Sequence, residues 1–389
     1  MPRLRAVVVG PGYIGTVHAD ALRRNGVDVV GLVGSGSDRG IARAEALGIA
    51  PYASLTDALA AGPVDCVHIA TPNYLHAPLV LEAIAAGKHV VCEKPLAMNA
   101  AEAKELLAAA RAAGVVHAVN FNFRFYALPR QTRQMIRNGE IGAVQLIHGG
   151  YLQDWLFKAS DWNWRLDPDL GGSLRAVADI GSHWIDLMGF VTGQHPVEVV
   201  ADLATTVPVR HKPLRAVDTF SNKALTPEEY EERRIHTEDY ASVLIRFSGG
   251  ARGVMTVSQV SAGRKNRLSF EIDGTTGSIT WNSERTEELF IGRRDRANEF
   301  LMRDPATLSA EARQVTEAPG GHAEGYIETH RALFAAAYRD IESGTPSPDP
   351  DYPTFVDGLR SLRIGEAIGQ SAAEGRWVSI SHDDLGGAA

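Results

Sequence analysis

Two cysteines in 389 residues, Cys66 and Cys92, leave no material for a disulfide framework, and their spacing fits no zinc or redox motif. Each lies in an apolar segment, so a reducing compartment is expected. No apolar run reaches the ~20 residues of a membrane-spanning helix, and Met1-Pro2-Arg3 leads straight into a strand-like run without a signal-peptide core. The expectation is a cytoplasmic protein with no membrane partner. Positive charge is also scarce: 39 Lys plus Arg stand against 47 Asp plus Glu, for a net charge of −8. No basic cluster is present to neutralise phosphates, which excludes nucleic acid and anionic membrane surfaces as partners. Internal repeats and low-complexity tracts are absent as well.

What is present is an ordinary apolar content of 44% and a length that suggests two or three domains at ~100–200 residues each. In the first third, β-branched runs alternate with helical spacings. Leu4 to Val9 is followed by a helix pattern from Tyr13 to Asn25 and a second strand from Val27 to Val33. Further strands are expected at Val64 to Ala70, His89 to Cys92 and Val115 to Phe121, with helices between them. Near-continuous apolar strands separated by helices predict a doubly wound parallel sheet covered on both faces.

After Arg124 strand-like runs follow one another: Val144 to Leu152, Val197 to Val207, Tyr240 to Phe247, Ala251 to Ser258, Arg267 to Asp273 and Gly277 to Trp281. Hairpin-length gaps predict a second, α+β domain with an antiparallel sheet, interrupted by one helix from Ile180 to Val191. The polar stretches Pro208 to Glu238 and Ser283 to Gly321 read as insertions or lids. A helix from Ala323 to Ser343, a Pro-rich hinge and a final helix from Thr354 to Glu374 close the chain. The expected division is residues 1–124, 125–345 and 346–389, the last a hinge and helix packing back on the domain interface.

Gly10-Pro11-Gly12-Tyr13-Ile14-Gly15 ends the first strand and opens the first helix. Glycines there let backbone approach a pyrophosphate, whose charge meets the free amides of the helix N-terminus. Residues 1–124 are therefore read as a dinucleotide-binding Rossmann domain. A carboxylate gripping the ribose of NAD is expected after the second strand, but Gly34-Ser35-Gly36-Ser37-Asp38-Arg39 stands there. Ser35 and Arg39 suit a 2′-phosphate and tilt the cofactor reading slightly from NAD towards NADP; otherwise Arg39 is solvated and NAD binds through Ser35 or Asp38.

Three more segments, Ala70-Thr71-Pro72-Asn73 with His76, Cys92-Glu93-Lys94-Pro95-Leu96, and Asp179-Ile180-Gly181-Ser182-His183, follow in order. With the glycine turn they make the chain resemble the Gfo/Idh/MocA oxidoreductases from end to end. The resemblance implies a Rossmann domain joined to a domain built on an open, mostly antiparallel sheet whose exposed face serves as a subunit interface, in a homodimer or homotetramer. It implies a reaction centre at Lys94, Asp179 and His183. Cofactor contacts would come from Gly10, Gly12, Tyr13, Ile14, Gly15, Thr71, Pro72, Asn73, His76, Glu93, Lys94 and Asn120.

Oxidising a secondary alcohol requires a base, for which the His183 imidazole is suited, and a cation for developing alkoxide charge, which Lys94 supplies. Asp179, four residues before His183, shares its helix face and would orient it or bind a substrate hydroxyl. The same spacing can hold zinc, but no third or fourth ligand is apparent, so no metal is expected. Three of the six Trp fall between residues 155 and 164. Trp155 and Trp162, with Asn122, Arg124, Tyr126, Lys158 and Arg165, suggest a carbohydrate or polyol guest: indole faces stack on sugar C–H faces and polar groups bind hydroxyls. The alternatives are that the Trp side chains fill the core and that the cations serve an anionic substituent. The leading expectation is an NAD(P)-dependent dehydrogenase of a sugar, glycoside or cyclitol. Its rivals are a redox glycosidase with retained cofactor and a non-catalytic cofactor-sensing regulator.

Overall fold

The Val-rich runs of the N-terminal third become six short parallel strands: β1 (Arg5–Val9), β2 (Asp28–Val33), β3 (Pro51–Tyr52), β4 (Cys66–Ile69), β5 (His89–Cys92) and β6 (His117–Val119). A computed structural model describes residues 3–214, 229–382 and 385. The strand order is β3-β2-β1-β4-β5-β6, the doubly wound arrangement, with every neighbouring pair parallel. Residues 6–8 of β1 and all of β4 are buried, as strands covered on both faces must be. Chain reversal puts the C-terminal ends of β1, β4 and β5 along one edge of the sheet, and the motif residues at 10–15, 71–76 and 93–94 follow those ends.

The chain divides into two compact units, Met1–Tyr126 with Gly325–Leu362, and Ala127–Glu324 with Arg363–Ala389. This differs from the division read in the sequence. The helix Tyr326–Ser343, expected in the second domain, packs along the first helix, Tyr13–Arg24, where Asn25 Nδ2 donates to the carbonyl of Arg331 at 2.9 Å. Its buried stripe of Leu333, Phe334, Ala337 and Tyr338 needs cover, and periodicity reveals such a stripe without saying which surface covers it. The Pro-rich segment also joins the first unit: Val119 N donates to the carbonyl of Pro353, so the outer edge of β6 is not left open.

The second unit is built on one nine-stranded sheet. Its strands are β7 (Val144–Leu152), β8 (Pro196–Ala204), β11 (Tyr240–Phe247), β12 (Arg252–Ser258), β13 (Arg267–Gly274), β14 (Ser278–Asn282), β15 (Glu288–Gly292), β16 (Glu299–Met302) and β17 (Val378–Ser379). The order is β16-β15-β14-β13-β7-β12-β11-β8-β17, and β7 pairs with β12 in parallel while the other described neighbours are antiparallel. A separate hairpin-like pair, β9 (Val209–Pro213) and β10 (Tyr230–Arg234), lies in the first polar stretch; residues 215–228 of that stretch fall outside the described residues. The second polar stretch is not the insertion expected from its composition. Leu289 and Ile291 alternate inward, Phe290 and Phe300 pair across the strands with ring centroids 5.4 Å apart, and β15 and β16 extend the sheet.

One face of this sheet carries the helices Ala127–Arg137 and Ser182–Thr192. On the other, register places Val200, Leu244, Val254, His148, Glu271, Thr280, Phe290 and Phe300 in one row across eight strands. Leu244, Val254 and Phe300 are exposed there. Among the described residues no helix is long and apolar enough to cross a membrane.

Candidate active site

The glycine turn separates into residues the protein itself requires and one it does not. Gly10 has φ +113°, and a Cβ there would come within 2.4 Å of the Ala70 carbonyl oxygen; one on Gly15 would meet the Gly10 carbonyl oxygen at 1.8 Å. Close packing of helix on strand therefore excludes side chains at both. Gly12 has an ordinary φ of −73° and nothing within 4 Å of its Cβ position. It is exposed, and it caps a 12-residue helix with no side-chain cap and no acidic residue in its first turn. Free amides, positive helix-end charge and an unfilled approach over Gly12 are what a pyrophosphate needs. Tyr13 is exposed and Ile14 half-buried beside it. After β2, Ser35 and Arg39 are exposed, and Ser37 caps the next helix through Gly40 N.

Beyond β4 and β5, buried polar side chains converge. His76 is fully buried, with Nδ1 2.7 Å from the Pro95 carbonyl oxygen and Nε2 3.0 Å from that of Thr71. Its ring ties the two loops together, so a direct cofactor contact is not the part this geometry gives its nitrogens. The buried Asn73 opens a 3-10 turn after Pro72. Glu93 receives His18 Nε2 at 3.0 Å and the amide of Asn120. Burial opposes ionisation of Glu93, but hydrogen bonds from His18 and Asn120 and the charges of His18 and His330 outweigh it and hold the carboxyl well below its ordinary range. Among the buried side-chain atoms of the described residues that lack a hydrogen-bond partner are Thr71 Oγ1 and Asn120 Oδ1, both at these loop ends. Orphans of this kind fit a polar ligand along the loop ends. Lys94, half-buried, follows Glu93, and its backbone N–H reaches Glu93 Oε2 at 3.3 Å. The thiols of Cys66 and Cys92 are buried and pushed up by that burial, Cys66 to about 12, which makes both inert.

In the second unit Asp179 lies in a π-helical turn, Val177–Gly181, that runs directly into the helix Ser182–Thr192. The helix read from the sequence begins two residues later than expected, because the wider turn precedes it; such turns recur at functional sites. Arg165 Nε donates to Asp179 Oδ1 at 3.0 Å and Gln259 Nε2 to Oδ2 at 2.9 Å. Both carboxylate oxygens are thereby fixed. Gln259 in turn accepts from Arg175 Nη1 at 3.0 Å, and Arg175 shares the fully buried Asp239 with Arg210. Burial raises the Asp239 carboxyl and the two guanidiniums more than reverse the effect. His183 is buried in the same segment, with the Tyr151 ring centroid 6.2 Å from its own.

The residues expected to bind substrate separate into three groups and one exposed lysine. Arg165 belongs to Asp179, with its guanidinium 4.4 Å over the Trp164 ring. Asn122 donates to Thr329 Oγ1 at 2.8 Å and Arg124 pairs with Asp357 at 2.8 Å, so both are engaged inside the first unit, near the buried Tyr126. Trp155 and Trp162 pack against the small cluster of Leu156, Leu166 and Ile235, Trp155 Nε1 also donating to Gln153. That is the core-filling alternative, and Lys212 Nζ lies 5.8 Å over the Trp162 ring. Lys158 is exposed. Sequence reasoning missed Gln259 and Arg175, which carry no motif and stand 80 and 4 residues from Asp179. Among the described residues one group of His, Asp and Glu is close enough to share a cation: His148, Glu271 and Asp273, on β7 and β13 of the sheet.

Residues 4–121 match the family described as oxidoreductases with an NAD-binding Rossmann fold, and residues 129–280 match the Gfo/Idh/MocA C-terminal domain. Levoglucosan dehydrogenase of Pseudarthrobacter phenanthrenivorans is 35% identical over 82% of this chain and 80% of that protein. The chain belongs to the Gfo/Idh/MocA family of oxidoreductases. A second family member, 1,5-anhydro-D-fructose reductase of Ensifer adhaerens, is 32% identical over 92% of this chain and 93% of its own length. Among solved structures, levoglucosan dehydrogenase in complex with NADH and levoglucosan superposes with a TM-score of 0.86 at 28% identity, covering 98% of this chain and all of that one. As a Gfo/Idh/MocA member the chain has an NAD-binding Rossmann unit and an oxidoreductase's activity.

Proposed function

We propose that the protein is a reversible dehydrogenase of a sugar, anhydrosugar or cyclitol secondary alcohol. The observation that carries this reading is Asp179, held through both oxygens in a π-helical turn four residues before the buried His183. A nicotinamide cofactor supplies the hydride acceptor. His183 takes the hydroxyl proton, and the Lys94 ammonium stabilises charge growing on the substrate oxygen. Asp179, a carboxylate that only accepts, accepts from a neighbouring hydroxyl. Arg165, Gln259 and Arg175 hold it in that role. The indoles of Trp155 and Trp162 suit sugar C–H groups, and Lys158 suits an outer hydroxyl or acid group.

The relatives supply the substrate class: one is named for an anhydrosugar, another for an anhydroketose. For the cofactor, the second strand ends without a carboxylate and with Ser35 and Arg39 exposed, so we extend the reading from NAD to NADP. The exposed row on the nine-stranded sheet supports self-association into a dimer or tetramer through that face, and the two buried free cysteines support a reducing cytoplasm. The test is absorbance at the reduced-nicotinamide band across a panel of sugars, anhydrosugars and inositols, with NAD and NADP in parallel. Stoichiometric reduced cofactor from one polyol is the expected result. Aglycone release from glycosides without accumulating reduced cofactor would replace the dehydrogenase with a redox glycosidase.

A further inference from the structure

Behind Glu93 the first unit contains a row of polar side chains that the proposed chemistry does not use. Four consecutive groups from four elements take part: Glu93 after β5, His18 in the helix Tyr13–Arg24, His68 in β4 and Tyr338 in the helix Tyr326–Ser343. His18 Nε2 lies 3.0 Å from Glu93 Oε1, His18 Nδ1 lies 3.1 Å from His68 Nδ1, and His68 Nε2 lies 3.1 Å from the Tyr338 hydroxyl. His18 and His68 are wholly buried. Phe334 packs edge-on against both rings, with centroids 4.7 Å from each.

Donor and acceptor rules leave this row two arrangements. The carboxylate only accepts, so His18 Nε2 carries a proton. The facing Nδ1 atoms of His18 and His68 can hold one proton between them. If His68 holds it, His18 is neutral, His68 Nε2 accepts from the Tyr338 hydroxyl, and the donors run in one direction from Tyr338 to Glu93. If His18 holds it, His68 Nε2–H donates to the Tyr338 oxygen, and His18 has become an imidazolium beside Glu93. The second state contains one more proton, taken from solvent. Both states keep His68 neutral, as its burial and the neighbouring His18 require.

The other groups facing the row do not replace it. Asn120 donates to Glu93 and lies 3.4 Å from His18 Nε2. His330, whose ring is 6.1 Å from that of His18, is pushed by burial down to about 4 and donates from Nδ1 to the Tyr326 carbonyl at 2.9 Å. At the far end, the Cys66 thiol and Asp65 act on Tyr338, and burial keeps that phenol protonated.

We propose that His18, His68 and Tyr338 are positioning residues for the cofactor: their row orients the Glu93 carboxylate and sets its local charge through the one proton shared by His18 and His68. The inference rests on the reading that a nicotinamide dinucleotide binds along the glycine turn and reaches Glu93. Oxidised nicotinamide is cationic and the reduced ring is neutral. With His18 neutral the uncompensated Glu93 charge favours the oxidised form; with His18 an imidazolium that preference is lost.

The experiment is fluorescence titration of the purified full-length protein with NAD, NADH, NADP and NADPH between pH 6 and 9. For the wild type, the affinity for reduced relative to oxidised cofactor is expected to rise as pH falls, by no more than about tenfold per pH unit for one proton. His18→Gln supplies an N–H for Glu93 and an oxygen for His68 without a titrating proton. It should bind within about threefold of the wild type and lose the pH dependence of that ratio. His18→Leu supplies neither group, and its cofactor Kd should rise more than about tenfold. Tyr338→Phe removes a single oxygen and should weaken binding by about three- to tenfold; it decides the matter if His18→Leu does not fold. Wild-type affinity in both His18→Leu and Tyr338→Phe, or an unchanged pH dependence in His18→Gln, would overturn the inference while leaving the dehydrogenase reading intact. Failure of the wild type to bind any of the four dinucleotides would overturn that reading, and this inference with it.

Discussion

Gln259 donates to Asp179 at 2.9 Å in one orientation only, because its own carbonyl oxygen is occupied by Arg175 at 3.0 Å. Arg175 is locked in turn by Asp239 and by Thr237, whose Oγ1 and carbonyl oxygen accept from it. A carboxylate whose donors are themselves locked keeps its direction without reorganising when a substrate arrives. Gln259→Leu removes one donor and leaves a buried guanidinium N–H without its acceptor. The expected outcome is a loss of about 10–100-fold in kcat/KM with cofactor affinity retained. Steady-state kinetics beside a cofactor titration check it.

Lys94→Ala and His183→Ala are each expected to lower kcat by ~10²–10⁴-fold, the usual contribution of a positioned acid, base or charge. Both variants should keep a native circular dichroism spectrum and bind cofactor. Undiminished turnover in either would remove that residue from the reaction centre.

The glycine turn offers a contrast within six residues. Gly15→Ala places a methyl group 1.8 Å from a backbone oxygen, so the helix must shift and the protein should unfold several degrees earlier. Gly12→Ala meets no protein atom, and its Tm should stay within about 2 °C of the wild type. Its cofactor Kd should nevertheless rise at least about tenfold, because the added methyl occupies the approach to the helix end. A Gly12→Ala protein that binds dinucleotide normally would place the phosphates elsewhere.

Acid stability has an identifiable contributor in Asp357. Burial raises its carboxyl, but Arg124 and Arg360 outweigh that and the net position is about 2. A folded value below the unfolded one stabilises above about pH 4, and the stabilisation is lost as pH falls towards 2. Its size is on the order of 2 kcal/mol. Urea unfolding at a series of pH values should therefore show a shallower acid slope in Asp357→Asn between about pH 4 and pH 2 than in the wild type.

For the exposed sheet row, Leu244→Glu with Val254→Glu places two charges at directly paired positions on the open face. Sedimentation velocity should report a smaller species than the wild type at the same concentration, with the secondary structure unchanged. An identical sedimentation coefficient would remove that face from the assembly.

Much of the fold could be read directly. Alternating apolar runs and helical spacings are local properties, and they located β1, β2, β4, β5 and most of the second sheet within a residue or two; Tyr240–Phe247 matches at both ends. The strands Glu288–Gly292 and Glu299–Met302 escaped notice because their neighbours are charged and the runs are short. The helix Tyr326–Ser343 is legible as an amphipathic stripe but joins the first unit, since such a stripe does not name its partner.

The candidate site divides along the same line. The glycine turn, the Glu93-Lys94-Pro95 segment and the Asp179–His183 spacing are short motifs whose chemistry depends on residues adjacent in the chain, so the sequence alone determined them. Tertiary structure decided everything that depends on who faces whom. It set Arg165 against Asp179, engaged Asn122 and Arg124 internally, and brought Gln259 and Arg175 to Asp179 and His68 and Tyr338 behind Glu93. A buried polar group must find its partner wherever the fold brings one within about 3 Å. Such pairings cross long stretches of chain here, 270 residues between His68 and Tyr338, and no local pattern encodes them.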